Sequence, residues 1–365
     1  NNTMIRRKKK LSSITNIIIN EEEEEEKKNR NTKEKLNIYT GTFNLGKLPL
    51  SRDLSDWLIN GYDLYIISLQ EAEYKPLGDI NGYTPYKTAE ADICSIIHSN
   101  LGIEYIRIVT SSLREIRLII FVHKTIKPYI SNIIITQKAT GIGNVIGNKG
   151  AVICFMNIYH ERYIFISSHL AAHQDKLKER NDDYHMIMQH NINLDIDILH
   201  YSDYIFFLGD LNYRLNYGTQ GDSRTPANSQ EFNQLLDYIY NNNYNILYKY
   251  DQLINCINKK QSFYGFIEAN GKNPNFQPTF KVIPNIILKY NKKRSPAYCD
   301  RILYYTRYNN NEQKKIKCIE YNNAINITCS DHKPVYAIFQ INKKILNISI
   351  LIKQPNYILY LYINK

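Results

Sequence analysis

The segment Tyr204-Ile205-Phe206-Phe207-Leu208-Gly209-Asp210-Leu211-Asn212 decides how this 365-residue chain folds. Its first five residues are apolar or aromatic without interruption, which suits a strand buried on both faces. A glycine ends the run, and two strongly hydrogen-bonding side chains, Asp210 and Asn212, follow at once. Seven further runs repeat the apolar half of the pattern: Leu36–Thr40, Leu64–Leu69, Leu118–Val122, Ala151–Phe155, Tyr163–Ser167, Ile302–Tyr305 and Val335–Phe339. Apolar residues recur at three- and four-residue spacing over Asp175–Asn193 and Glu231–Asn241, predicting helices there. Many buried strands with helices between them, and no strong linker, predict one α/β domain over 36–340, a layered sandwich of sheets.

The polar half of the pattern recurs as well. Asn44 follows the first strand, Glu71 the second, and His169 follows Tyr163–Ser167. Asp300 instead comes just before Ile302, and Asp331 with His332 just before Val335. If the strands with leading polar groups run antiparallel to those with trailing ones, all these groups meet at one edge of the sheets. A single Asp or Asn after a strand is an ordinary turn former. Two His, two Asn and four acids at strand ends are too many for turns alone. Carboxylates beside apolar strands are costly to desolvate without a cation or strong donors.

Oxygen donors of Glu, Asp and Asn suit Mg²⁺. There is no His-Glu-x-x-His and no Cys/His cluster, so zinc is not expected. The glycine-rich stretch from Gly141 to Gly150 is not a Walker A loop, because Gly150 rather than Ser or Thr follows Lys149. It reads as a turn that places one lysine.

Composition sets outer limits. At 43% hydrophobic and 22% charged, the chain is ordinary globular material, which excludes collagen-like, disulfide-framework and wholly disordered classes. The net charge of +11 points to an anionic partner without choosing one. Its distribution is uneven: 1–35 carries +3, 341–365 carries +4, and 271–310 alone carries +7, so the rest is slightly acidic. The like-charge blocks Arg6–Lys10 and Glu21–Glu26 predict a disordered tail over 1–35. Residues 341–365 form an extension with no role assigned. The six cysteines show no short-range rhythm and read as reduced thiols of a reducing compartment. The longest apolar stretch, 345–363, is broken by Lys353, Gln354 and Pro355, so no membrane span is expected, and a cytoplasmic location follows.

These strings resemble the motifs of the inositol polyphosphate 5-phosphatase family: Gly41-Thr42-Phe43-Asn44, Leu69-Gln70-Glu71, Gly147-Asn148-Lys149-Gly150 and Ser168-His169-Leu170-Ala171-Ala172-His173. So do Arg180-Asn181-Asp182-Asp183-Tyr184, Gly209-Asp210-Leu211-Asn212-Tyr213-Arg214 and Pro278-Thr279-Phe280-Lys281. The series closes with Arg294-Ser295-Pro296-Ala297-Tyr298-Cys299-Asp300-Arg301-Ile302-Leu303 and Ser330-Asp331-His332-Lys333-Pro334-Val335, in the family's order.

The resemblance implies a deoxyribonuclease-I-like, four-layered α/β sandwich with two packed β-sheets flanked by helices. It also implies Mg²⁺-dependent removal of the 5-phosphate from phosphoinositides or soluble inositol polyphosphates. Carried over residue by residue, Glu71 is the main metal ligand, with Asn44 and Asp331 nearby. Asp210 orients or deprotonates the attacking water beside Asn212, and either Asp210 or His332 takes its proton. His332 pairs with Asp300, His169 donates to a phosphate oxygen, and Lys281, Lys292 and Arg294 hold the neighbouring 4-phosphate. Phe280 stands where some members carry Tyr, and Tyr298 where Trp is frequent. The first departure weakens the expected 4-phosphate preference. Basic groups such as Lys289 and Lys293 would face an anionic membrane surface, placing the protein peripherally at the cytosolic face of membranes. No nucleic acid is expected, and protein partners are left open. A metal-dependent nuclease on the same scaffold and an inactive phosphoinositide-binding module are the alternatives.

Overall fold

A computed structural model describes residues 35–76, 88–141, 148–190, 197–218, 228–271, 273–308 and 316–343. The tail over 1–35 and the extension over 341–365 lie outside these, save Lys35 and 341–343. Among the described residues, twelve strands form two six-stranded mixed sheets. One sheet has the order β11-β12-β1-β2-β4-β3, from β1 (Lys35–Asn44), β2 (Leu64–Gln70), β3 (Tyr105–Leu113), β4 (Ile116–His123), β11 (Ile316–Asn323) and β12 (Val335–Asn342). The other has the order β5-β6-β7-β8-β10-β9, from β5 (Ile130–Ala139), β6 (Gly150–Ile158), β7 (Glu161–His169), β8 (Tyr204–Asp210), β9 (Ile267–Glu268) and β10 (Asp300–Thr306).

Strand alternation builds the layers. Phe206 of β8 points between the sheets, where it meets Phe339 of β12 at 5.0 Å between ring centroids. Ser68 of β2 and Ser167 of β7 share a hydrogen bond of 2.7 Å across the same interface, and Ser167 donates on to the Arg117 carbonyl at 2.8 Å. The neighbours Ile205 and Phe207 face outward and pack with Tyr184 and Ile187 of the helix Leu177–Met188. On the far side, Tyr65, Ile67 and Leu69 pack with Trp57 and with Ile93, Ile96 and Ile97 of the helix Ala89–Leu101. The result is the expected order of helices, sheet, sheet and helices.

Register then carries the polar strand ends to one edge. β7 and β8 run parallel with His169 opposite Asp210, and β10 runs antiparallel to β8 with Asp300 opposite Asp210. In the other sheet, β1 and β2 are parallel with Asn44 opposite Gln70. Ser330, before β12, donates to the Asn44 carbonyl at 2.7 Å and ties that entry to the same edge.

Candidate active site

The strand exits are bent to aim their side chains. Gly209 has φ +154° and its α-hydrogen face lies against Ser168; a Cβ there would sit 2.0 Å from the Ser168 carbonyl oxygen. Only glycine fits, and Asp210 ends β8 immediately beyond that pinch. Glu71 (φ 46°) and Asn212 (φ 57°) adopt left-handed backbone at the ends of their strands. Such strain in non-glycine residues persists where the surroundings hold it, and it gathers at functional sites.

Asp210 is the centre, nearly fully buried. Its Oδ2 accepts from Asn44 Nδ2 at 2.9 Å and lies 3.3 Å from His169 Nε2 and 3.9 Å from His332 Nε2. Its Oδ1 accepts from the Asn212 backbone N–H at 3.1 Å. Behind His332, Nδ1 bonds to Asp300 Oδ2 at 2.8 Å, and the same oxygen accepts from the Thr279 hydroxyl at 2.6 Å. Burial disfavours the His332 imidazolium, but the Asp300 and Asp210 carboxylates outweigh it and raise its pKa to about 9. Burial also works against the Asp210 carboxylate, yet the His169 hydrogen bond and the His332 and Lys149 charges hold it below the usual range. Burial pushes Asp300 up. His169 is held down by burial and by Lys149, whose ammonium contacts its Nε2.

Glu71 faces the same cleft, and its Oε1 accepts from Asn44 Nδ2 at 3.3 Å, so one amide bridges Glu71 and Asp210. This set of hard oxygen donors fits a divalent cation such as Mg²⁺. Asp331 is less free for that task, because Lys281 pairs with its Oδ2. Candidate ligand atoms of Asp210, Asp300 and His332 lie within 4.8 Å of one another. Hydrogen bonds already join Asp300 to His332 and Thr279, so this trio reads as a proton-holding relay.

A cleft of about 480 Å³ is lined by Glu71, His169, Asp210, Asn212, Lys281, Arg294, Asp331 and His332 among others. Asn44 and Asp300 lie beneath it, and Lys292 is exposed and does not line it. Three residues not singled out for a role from the sequence join the site. Lys149 touches His169, Thr279 supports Asp300, and Arg214 grips Asn212. Each sits inside one of the quoted motifs, which is the signal that marked it.

The fold and this strand-edge site define a class, and a family model for Endonuclease/Exonuclease/phosphatase family 2 matches residues 41–338. The chain belongs to that family. Among its relatives, the phosphatidylinositol 4,5-bisphosphate 5-phosphatase INP51 of Saccharomyces cerevisiae is 32% identical over 86% of this chain and 32% of its own. The polyphosphatidylinositol phosphatase INP53 of the same yeast is 28% identical over 84% of this chain and 26% of its own. The chain thus spans about a quarter to a third of the length of these relatives. The crystal structure of the inositol polyphosphate 5-phosphatase domain of SPsynaptojanin, with inositol (1,4)-bisphosphate and calcium ion, matches at TM-score 0.68. It is 26% identical and covers 84% of each chain. Cimex nitrophorin, 20% identical with TM-score 0.61, covers 85% of this chain and 99% of its own and shares the fold alone.

Proposed function

We propose that this chain is a phosphoric monoester hydrolase that removes the 5-phosphate from phosphoinositides or soluble inositol polyphosphates with Mg²⁺. The observation that carries the reading is the convergence of Asn44, His169 and His332 on one oxygen of Asp210. Phosphate-monoester hydrolysis needs an in-line water, neutralised equatorial oxygens and help for a poor leaving group. Asp210, kept ionised by its neighbours, orients the water and can accept its proton. The His332 imidazolium, backed by Asp300, presents positive charge to the scissile phosphate. Asn212 commits one Nδ2 hydrogen to the Leu170 carbonyl at 3.1 Å and keeps the second for the cleft. Mg²⁺ held by Glu71 with Asn44 beside it would supply Lewis acidity where charge builds. Among the described residues no helix is long and apolar enough to cross a membrane. Exposed Lys289, Lys292 and Lys293, beside exposed Ile286 and Ile287, support peripheral contact with an anionic membrane surface at the cytosolic face.

The test is phosphate release from vesicles carrying phosphatidylinositol 4,5-bisphosphate, with and without Mg²⁺. Release with the ion, and loss on the order of 10³-fold in a folded Asp210→Asn variant, is the expected outcome. Plasmid nicking without phosphate release would instead select the nuclease reading, and near-normal turnover by the variant would remove Asp210 from its role.

A further inference from the structure

The buried positions of β4, 116–122, are apolar save one, Arg117. An apolar side chain there would carry no desolvation cost, whereas a guanidinium does. Its ion pairs offset little of that cost. Nη2 reaches Glu73 at 2.6 Å and Nη1 reaches Glu90 at 2.8 Å, but those carboxylates are 55% and 39% exposed, so water screens both. The buried contact is a third one: Nε donates to the carbonyl of Ala72, itself fully buried, at 2.9 Å.

Ala72 directly follows Glu71, whose backbone is left-handed at φ 46°. Three hydrogen bonds pin this corner. The Lys47 N–H donates to the Glu71 carbonyl at 3.0 Å, the Ala72 N–H donates to the Glu115 carbonyl at 3.0 Å, and Arg117 Nε closes the third. Two of the three come from the β3–β4 hairpin, so the hairpin fixes the point from which Glu71 enters the cleft. Arg117 also reaches the other half of the site. Its carbonyl accepts from the Ser167 hydroxyl at 2.8 Å, two residues before His169 on β7.

We infer that Arg117 is a positioning residue: by holding the Ala72 carbonyl it aims the Glu71 carboxylate, and so sets the affinity of the divalent-ion site without touching the ion. The inference rests on the reading that Glu71 holds that ion. Losing a group that supports a ligand, rather than the ligand itself, weakens metal binding by about 10–100-fold.

The experiment titrates Mn²⁺ alone into the full chain, followed by electron paramagnetic resonance, with unfolding temperatures measured alongside. Arg117→Met keeps an apolar stem and removes all three contacts; its Mn²⁺ affinity should fall about tenfold. Arg117→Lys keeps the charge but has no fork to serve Ala72 and both glutamates together, so it should fall in between. A double variant, Glu73→Gln with Glu90→Gln, removes the ion-pair charge and leaves the Ala72 contact; its affinity should stay within about twofold of wild type. Glu71→Gln should lose more than any of these. In phosphate release from vesicles carrying phosphatidylinositol 4,5-bisphosphate, Arg117→Met should need about tenfold more Mg²⁺ for half its maximal rate, with the rate at saturating Mg²⁺ changed much less.

Unchanged Mn²⁺ affinity in a folded Arg117→Met, or failure of both Arg117 variants to fold, would overturn the positioning role. So would a double glutamine variant as weak as Arg117→Met, which would assign the effect to the ion pairs. If Glu71→Gln binds Mn²⁺ as the wild type does, the metal reading falls together with the inference. Weakened Mn²⁺ binding by Arg117→Met, with no phosphate release even by the wild type, would uphold the positioning role and overturn the phosphatase reading instead.

Discussion

Asp300 and Arg301 are adjacent on β10, both fully buried, and they serve two ionic clusters of opposite character. Arg301 meets Glu268 through two hydrogen bonds of 2.9 and 2.7 Å, and reaches Asp251 at 3.0 Å. Tyr321 adds a hydroxyl to Glu268 at 2.6 Å, and Asp251 also caps the helix Gln252–Asn258 through Ile254 N–H at 2.9 Å. Every carboxylate there has a donor, and burial of the guanidinium is outweighed by the two acids that raise its pKa. Asp300, one residue earlier and on the other face of the strand, is left open. Among the described residues its Oδ1 has no hydrogen-bond partner. Closed networks fix structure, whereas partly open ones are tolerated where a substrate or ion will complete them.

Breaking the closed cluster should have the largest effect. Arg301→Leu strands two buried carboxylates, a cost of about 3–5 kcal/mol, comparable with a large share of a domain's stability. Calorimetry should find the transition lost or lowered by many degrees. An unfolding temperature near that of the wild type would mean the cluster is not structural. Asp300→Asn should behave in the reverse sense. The amide keeps the shape but gives up the charge that holds His332 protonated, so the unfolding temperature should move little while kcat falls on the order of 10²–10⁴-fold. Loss of folding without a separate catalytic defect would erase the distinction between the two neighbours.

The same contrast between closed and open surroundings explains how much could be read from residues alone. The eight strands expected from apolar runs are the eight interior strands, β12, β1, β2, β4, β6, β7, β8 and β10. The four that no such run marks, β3, β5, β9 and β11, are the four sheet edges. An edge strand is half solvated, so its residues need not be apolar; β5 exposes Ile133, Ile134 and Ile135 beside Lys138 and Gln137, and β9 has only two residues. The helix Ala89–Leu101 was not among the two helices expected from the residues, although Ile93, Ile96, Ile97 and Leu101 behind a Thr88 cap carry a helical pattern. The site was legible for a related reason, because strand ends are written next to apolar runs. What was not legible is pairing through space. That Thr279 bonds Asp300, or that Lys281 is taken by Asp331, depends on loops that meet only in the folded chain.

Lys149 offers the finest test of the open cluster, because its charge is at stake near working pH. It is partly buried, and burial lowers its pKa to about 8, against which the charges of Asp210 and Glu71 work only in part. As pH rises through about 8 the ammonium is lost, so positive charge leaves the side of His169 that faces the cleft. kcat/KM should therefore fall several-fold above that pH. Stability should move the other way. The folded pKa lies below the unfolded value, so folding is penalised by the charged form, and that penalty is relieved between about pH 8 and about 10.4. Lys149→Arg retains a cation throughout, so its activity profile should lose the alkaline limb near pH 8, measured as phosphate release across pH 6–10. A limb that stays in place in the arginine variant would assign the titration to another group and detach Lys149 from the open cluster.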